Sequence, residues 1–289
     1  MNSTARSDRL SDLMALPGVA EAVAAARASC EELRWHPALR RRIPEAAAES
    51  RVRGAAASAV LEGAEVAGTR LSLPLVRDVM RGAQKAPEQP DPVWRTVRAA
   101  VQVTAAGEEV TTRAMAAPIQ VLSRLHVAAG APLLPPAQVG RPRLADETCQ
   151  EWVELGSAPA EAEMRQRLAG IADLLKAVRG GEAPALVLAA LIHAELVATR
   201  PFVAGNALVA RSLERVVLHQ GGLDPTGVAV IEAGHAAGGG TAYRGAMTAY
   251  VEGGRQGVGL WLVHCAEAVV EAATVGGHIA DAVMAGRLT

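Results

Sequence analysis

Apolar residues recur along most of this chain at the three- and four-residue spacing of a helix face, and period-two alternation over strand length is scarce. The pattern predicts helices over residues 19–33, 44–66 and 74–82, the last with Pro74 at the tolerated first position. Pro37 and Pro44 punctuate the first two. The run KAPEQPDP, residues 85–92, holds three prolines that cannot lie inside a helix, so it reads as a linker. Beyond it, helices are expected over 93–106 and 111–128. The stretch GAPLLPPAQVGRPR, residues 130–143, has four prolines and two glycines and is expected to form an extended loop or a weak hairpin. Helices resume over 146–155, 159–179, 184–198 and 207–220. A loop-like run, GHAAGGG at 234–240, precedes the last two, over 242–252 and 257–284. The expected organisation is an N-terminal helical region, 1–90, a core, 91–225, and a C-terminal helical segment, 226–289.

Composition narrows the fold class to all-α. The 289 residues allow one large domain or two modest ones at roughly 150 residues each. Half are apolar, yet only 2% are aromatic, so the core must be built from Ala, Val and Leu, which favours closely packed helices. Thirty acidic against 29 basic residues leave a net charge of −1, with no field to steer the chain onto nucleic acid or an anionic membrane. Three separated cysteines, Cys30, Cys149 and Cys265, argue against a disulfide framework and for a cytoplasmic protein. No membrane segment is expected either, because residues 183–198 are interrupted by His193 and Glu195. Lysine occurs only at Lys85 and Lys176, which reads as the coding bias of a GC-rich bacterial genome.

The break at 199–206, TRPFVAGN, lies between two helical stretches and contains the only phenylalanine. Pro201 ends the preceding helix, Phe202 can anchor the loop in the core, and Gly205 with Asn206 lets the backbone turn into the next helix. Backbone N–H groups at that helix start suit an anion, and Arg211 follows one turn on. A simple change of direction would use the same residues.

From Arg200 to Arg211 the run R-P-F-V-A-G-N-A-L-V-A-R resembles the signature of the Fic (Fido) family of nucleotidyl transferases, H-P-F-x-[DE]-G-N-G-R-x-x-R, and matches it at Pro201, Phe202, Gly205, Asn206 and Arg211. Upstream, Ser58, Glu62 and Gly63 resemble the family's inhibitory-helix motif, [ST]-x-x-x-E-[GN]. In the tail, Tyr243, Tyr250 and Trp261-Leu262 resemble a family C-terminal segment. The resemblance implies a Fic-like helical core carrying an N-terminal helical segment and a short β-hairpin flap at 130–143. It also pairs Glu62 with Arg211.

The departures fall on the chemistry. Where the family has its catalytic His, this chain has Arg200, a guanidinium that stays protonated and cannot act as a general base. The acidic metal ligand is replaced by Ala204. Ala207 stands where the family uses Gly, and Leu208 where it uses the first Arg. AMP transfer by the family mechanism is therefore not expected. No cofactor is required, ATP or another nucleotide without Mg²⁺ stays a candidate ligand, and Arg200, Gly205, Asn206 and Arg211 are the anion-binding candidates. An ion pair between Glu62 and Arg211 explains both residues without a ligand. No metal site is expected, since His193, His219, His235, His264 and His278 show no paired spacing. His193 is expected to be a hydrogen-bonded packing residue, with Glu195 facing solvent or capping a neighbour. Cys149 and Cys265 read as small buried hydrophobes on helices, and Arg40, Arg41 and Arg42 as a solvated helix end. Three readings stay open: a catalytically degenerate binding protein, a rewired Fic-fold transferase using a base such as His193, and a helical structural or regulatory protein. A protein partner at 130–143 and a homo-oligomer are compatible with the first.

Overall fold

Alanine, valine and leucine supply most of the buried apolar surface, and the helices they form cross closely. The computed structural model describes residues 10, 12–64, 71–85, 87–181 and 183–288. In chain order the helices are α1 (Val19–Arg34), α2 (Ile43–Leu61), α3 (Leu73–Met80), α4 (Pro92–Glu108), α5 (Pro118–Gly130), α6 (Glu161–Gly180), α7 (Ala185–Thr199), α8 (Asn206–Gln220), α9 (Ile231–Ala236), α10 (Thr241–Glu252) and α11 (Gly254–Met284). Short 3₁₀ turns fill several connections, and no strand occurs among the described residues.

A helical hairpin forms the centre. Twelve of the 15 residues of α7 and 13 of the 15 of α8 are buried, so neither has a solvent face, as expected of helices apolar or engaged all round. Helices α4 and α5 cover α8, and α6 covers α7. α11 packs against α1, α2, α7, α9 and α10, while α2 also packs against α3, α4 and α9. α11 is long and apolar enough to cross a membrane by length and composition, but five helices cover it here. A continuous apolar core runs from Leu10 to Val283. Close approach of α9 to α11 depends on Gly234, where a Cβ would lie 2.0 Å from the carbonyl oxygen of Ala268.

Several boundaries differ from the periodicity, each for a local reason. The helix expected over 111–128 starts at Pro118, because the residue before a proline is driven out of the α region, and Ala117 lies at φ −120°, ψ 67°. The helix expected over 146–155 is absent: Trp152 adopts a left-handed φ of 53°, and only Val153–Leu155 makes a 3₁₀ turn. Residues 234–236 belong to α9, and the break falls after them, where Gly238, Gly239 and Gly240 all have positive φ. No hairpin forms at 130–143; its prolines withhold ladder donors, and Pro136–Gln138 forms a 3₁₀ turn instead. Of the helix expected over 44–66, residues 65 and 66 lie outside the described residues.

Candidate functional site

The loop between α7 and α8 is held from three sides. Arg200 takes a left-handed conformation, φ 46°, after the last turn of α7, and only 3% of it is exposed. Its guanidinium donates to the carbonyls of Trp152 at 3.1 Å, Gly156 at 2.8 Å and Ser157 at 3.1 Å, tying α7 to the irregular segment 151–157. Arg143 grips the same loop, its Nε donating to the Arg200 carbonyl at 3.0 Å and its backbone N–H to that of Pro201 at 2.8 Å. Phe202 lies flat against the His126 ring from α5, with centroids 3.7 Å apart. That imidazole accepts from the Gly140 N–H at Nδ1, 3.0 Å, and its Nε2 meets the Ala204 carbonyl at 3.1 Å. The accepted bond makes Nε2 the protonated nitrogen, so His126 joins the 130–143 loop to the α7–α8 loop as a neutral ring. Burial lowers its pKa to about 4.

Gly205 supplies the left-handed turn, φ 86°, that starts α8, and Asn206 braces it. Asn206 Oδ1 accepts from the Phe202 N–H at 2.9 Å, while its Nδ2 donates to the Phe202 carbonyl at 3.0 Å. The exposed donors of the helix start do bind an anion, and it is the chain's own. The Glu151 carboxylate accepts from the Gly205 N–H at 2.5 Å, the Asn206 N–H at 3.0 Å and Asn206 Nδ2 at 2.7 Å. Burial and the negative charge of Glu62 push Glu151 up to about 7, against the pull of those same donors. The next residue in the chain is fixed as well. Trp152 is buried edge-on against Tyr243, ring centroids 5.3 Å apart, and Arg244 stacks over its indole at 4.8 Å.

Arg211 is fully buried and bonds to the end of α2 and to α10. Its Nη2 donates to Glu62 Oε1 at 2.6 Å, its Nε to Ser58 Oγ at 2.8 Å and its Nη1 to the Tyr243 hydroxyl at 3.4 Å. Glu62 reaches it because α2 ends there: Gly63, at φ 81°, closes the helix with Gly63 N–H to Val60 and Ala64 N–H to Ala59. Ala207 and Leu208 are buried in the apolar core. The anion-binding candidates therefore separate: Gly205 and Asn206 hold Glu151, Arg211 holds Glu62, and Arg200 holds backbone carbonyls.

Behind Arg211 lies a second polar cluster. His193 Nδ1 meets Glu214 Oε2 at 2.6 Å, and its Nε2 meets the Tyr243 hydroxyl at 2.8 Å. His235 Nε2 meets the same Glu214 oxygen at 2.8 Å, and its Nδ1 meets His264 Nε2 at 3.2 Å. Burial lowers His193 and His264 to about 4. Burial works the other way on Glu214, but the His235 and His193 imidazoles hold it below the usual carboxylate range. Spacing could not reveal this cluster, because its members come from α7, α8, α9, α10 and α11.

The remaining candidates are structural in their surroundings. Glu195 accepts from the Tyr250 hydroxyl at 2.7 Å. Trp261 donates to the Ala190 carbonyl at 2.8 Å, and Leu262 beside it is buried. Cys30 and Cys265 are buried on helices, whereas Cys149 lies half-buried in the irregular segment. Arg40 and Arg41 are exposed, and Arg42 donates to the Val283 carbonyl at 2.8 Å. Glu151, His126, Arg143 and Glu214 carry no motif in the sequence, and only their placement marks them.

No family model matches the sequence, and no curated protein does. Solved structures do match in shape. A Fic family protein from Desulfovibrio desulfuricans G20 superposes with a TM-score of 0.64 at 19% identity, covering 94% of this chain and 76% of that one. Fic-1 (residues 134–508) from C. elegans does so with a TM-score of 0.60 at 18% identity, covering 89% and 72%. A Fic domain containing signaling protein from Bacteroides thetaiotaomicron VPI-5482 gives 0.59 at 15% identity, covering 90% and 98%. The helices that carry Glu62, the Arg200–Arg211 loop and Tyr243 are thus assembled in an all-α Fic fold.

Proposed function

We propose that this chain is a catalytically degenerate Fic-fold protein that acts in the cytoplasm by binding an anionic ligand or a protein partner, and does not transfer AMP. The observation that carries the reading is the state of the α8 helix start. Its donors hold the Glu151 carboxylate, and the residue at the catalytic-base position, Arg200, is bonded to four carbonyls of the 151–157 segment. Loss of a positioned general base alone costs about 10²–10⁴ in rate. His193 is a poor replacement, since it is fully buried with both ring nitrogens bonded inside the core. A protein partner would meet the groove of about 640 Å³ between residues 143–161 and Arg200, which lies beside the 130–143 loop.

The test is to incubate the full chain, and separately Glu62→Gly, with α-labelled ATP and Mg²⁺, alone and with a cell extract. No label should pass to either variant or to extract proteins above background. Transfer by the purified chain would overturn the reading. In the same preparations, ATP should raise the melting temperature of Glu151→Ala more than that of the unaltered chain, because the variant frees the α8 donors.

A further inference from the structure

Three side chains from three helices aim ligand-type atoms at one point in the core. His193 Nδ1 from α7, Glu214 Oε2 from α8 and His235 Nε2 from α9 all lie within 4.8 Å of one another. We propose that His193, Glu214 and His235 form a binding site for a divalent zinc-class ion that ties these three helices together. The inference concerns a site separate from the α8 helix start and does not depend on the proposed function.

Two imidazoles and a carboxylate are a donor set that zinc accepts, with bonds of about 2.0–2.2 Å. The outer contacts that such ligands need are already in place. A metal-bound histidine nearly always donates its other N–H to a polar partner, which fixes the ring and its tautomer. Here His193 Nε2 faces the Tyr243 hydroxyl at 2.8 Å, and His235 Nδ1 faces His264 Nε2 at 3.2 Å. Binding moves the proton of neutral His193 from Nδ1 to Nε2, and that of His235 from Nε2 to Nδ1. Each then donates to that outer partner, with the Tyr243 hydroxyl turning its own proton away and His264 carrying its proton on Nδ1. Charge favours an ion as well. Glu214 is 1% exposed, and the guanidinium on the same hydrogen-bonded network, Arg211, is already matched by Glu62 at 2.6 Å.

The observed spacings of 2.6 and 2.8 Å from Glu214 Oε2 are those of the proton-filled form. Around a tetrahedral zinc the ligand atoms stand about 3.3 Å apart, so loading requires the His235 imidazole to withdraw by roughly 0.5 Å and that of His193 by roughly 0.7 Å. The C-terminal end of α9, which carries His235 beyond the tight Gly234 contact, can give in that way, because it runs into three glycines with positive φ, two of them exposed.

The test is to strip the full chain with a chelator and titrate it with Co²⁺, then Zn²⁺. One equivalent of Co²⁺ should give the ligand-field bands of tetrahedral N/O coordination, and Zn²⁺ should displace them. His235→Gln should abolish the bands. Tyr243→Phe, which keeps all three ligands, should weaken Co²⁺ affinity about 10–100-fold. His278→Ala, on the far part of α11, should change nothing. A stripped chain that is folded by circular dichroism yet shows no Co²⁺ bands overturns the proposal. The cluster is then a hydrogen-bonded network holding protons only. Bands that persist in His235→Gln overturn it equally, whether or not that variant folds as tightly.

Discussion

At Glu151, burial and hydrogen bonding pull proton affinity in opposite directions, and burial wins. The carboxyl sits at about 7 in the folded chain against 4.5 for the free group, so the fold binds its proton more tightly than the unfolded chain does. Stability from this residue is therefore fully present below about pH 4.5 and is lost as pH rises through about 7. Glu151→Gln imitates the protonated form at every pH. The variant's melting temperature relative to the parent should rise between about pH 4.5 and about pH 7 and level off above that, measured at constant ionic strength. A difference that stays flat across that range would mean the carboxylate is not held against its ionisation. Residues of this kind are hard to read from sequence. Ser58, Glu62, Gly63 and Arg211 stand in patterns whose spacing survives on a single line of text, and the structure brings Glu62 and Arg211 to 2.6 Å. Glu151 has no such pattern, because its partners are two backbone N–H groups and an amide 54 and 55 residues away.

At the scale of elements, glycine marks where helices touch and where they merely pass through solvent. Gly234 on α9 would place a Cβ 2.0 Å from the Ala268 carbonyl on α11, a clash with backbone that no side-chain movement relieves. Gly234→Ala should cost more than about 3 kcal/mol, beyond the usual overpacking penalty, by separating α9 from α11. Gly170, exposed on α6 with nothing within 4 Å of a built Cβ, is the opposite case. There an alanine should add roughly 0.8–1 kcal/mol through helix propensity alone. Urea midpoints of the two variants decide it: Gly234→Ala within about 0.5 kcal/mol of the parent would show that the α9–α11 approach is not tight. Helix existence was legible wherever the apolar spacing ran uninterrupted, as in α1, α4, α7 and α8. It failed over 146–155, because the tertiary bonds of Arg200 and Glu151 compete with the helix for that backbone and override a weak local preference. It failed at 111–117 through the steric reach of Pro118, a signal present in the sequence but outweighed there by apolar periodicity.

At the scale of the whole molecule, the helices on either side of the proline-rich stretch at 85–92 share one core. α2 precedes it and α4 follows it, and the two pack together, with Arg51 bonded to Glu108 at 2.7 Å across the stretch. α2 further packs against α9 and α11, and its Ser50 hydroxyl accepts from Arg215 at 3.0 Å beside the buried Arg215–Glu232 pair. Removing the first 90 residues would leave Arg211 without Glu62 and Ser58, and Arg215 without Ser50. An uncompensated buried charge costs about 3–5 kcal/mol, a large part of the stability of an ordinary domain. A piece spanning residues 91–225 should therefore not fold alone, and the full chain should unfold in one step. Far-UV circular dichroism and tryptophan fluorescence in urea should trace the same transition. Trp261 in the core reports the C-terminal half, and Trp94, in the first turn of α4, the segment beyond the prolines. A plateau between the two signals, or a cooperatively folded 91–225 fragment, would show that the helices on either side of the prolines stand independently, and the Glu62–Arg211 contact would then be an interface between separable units.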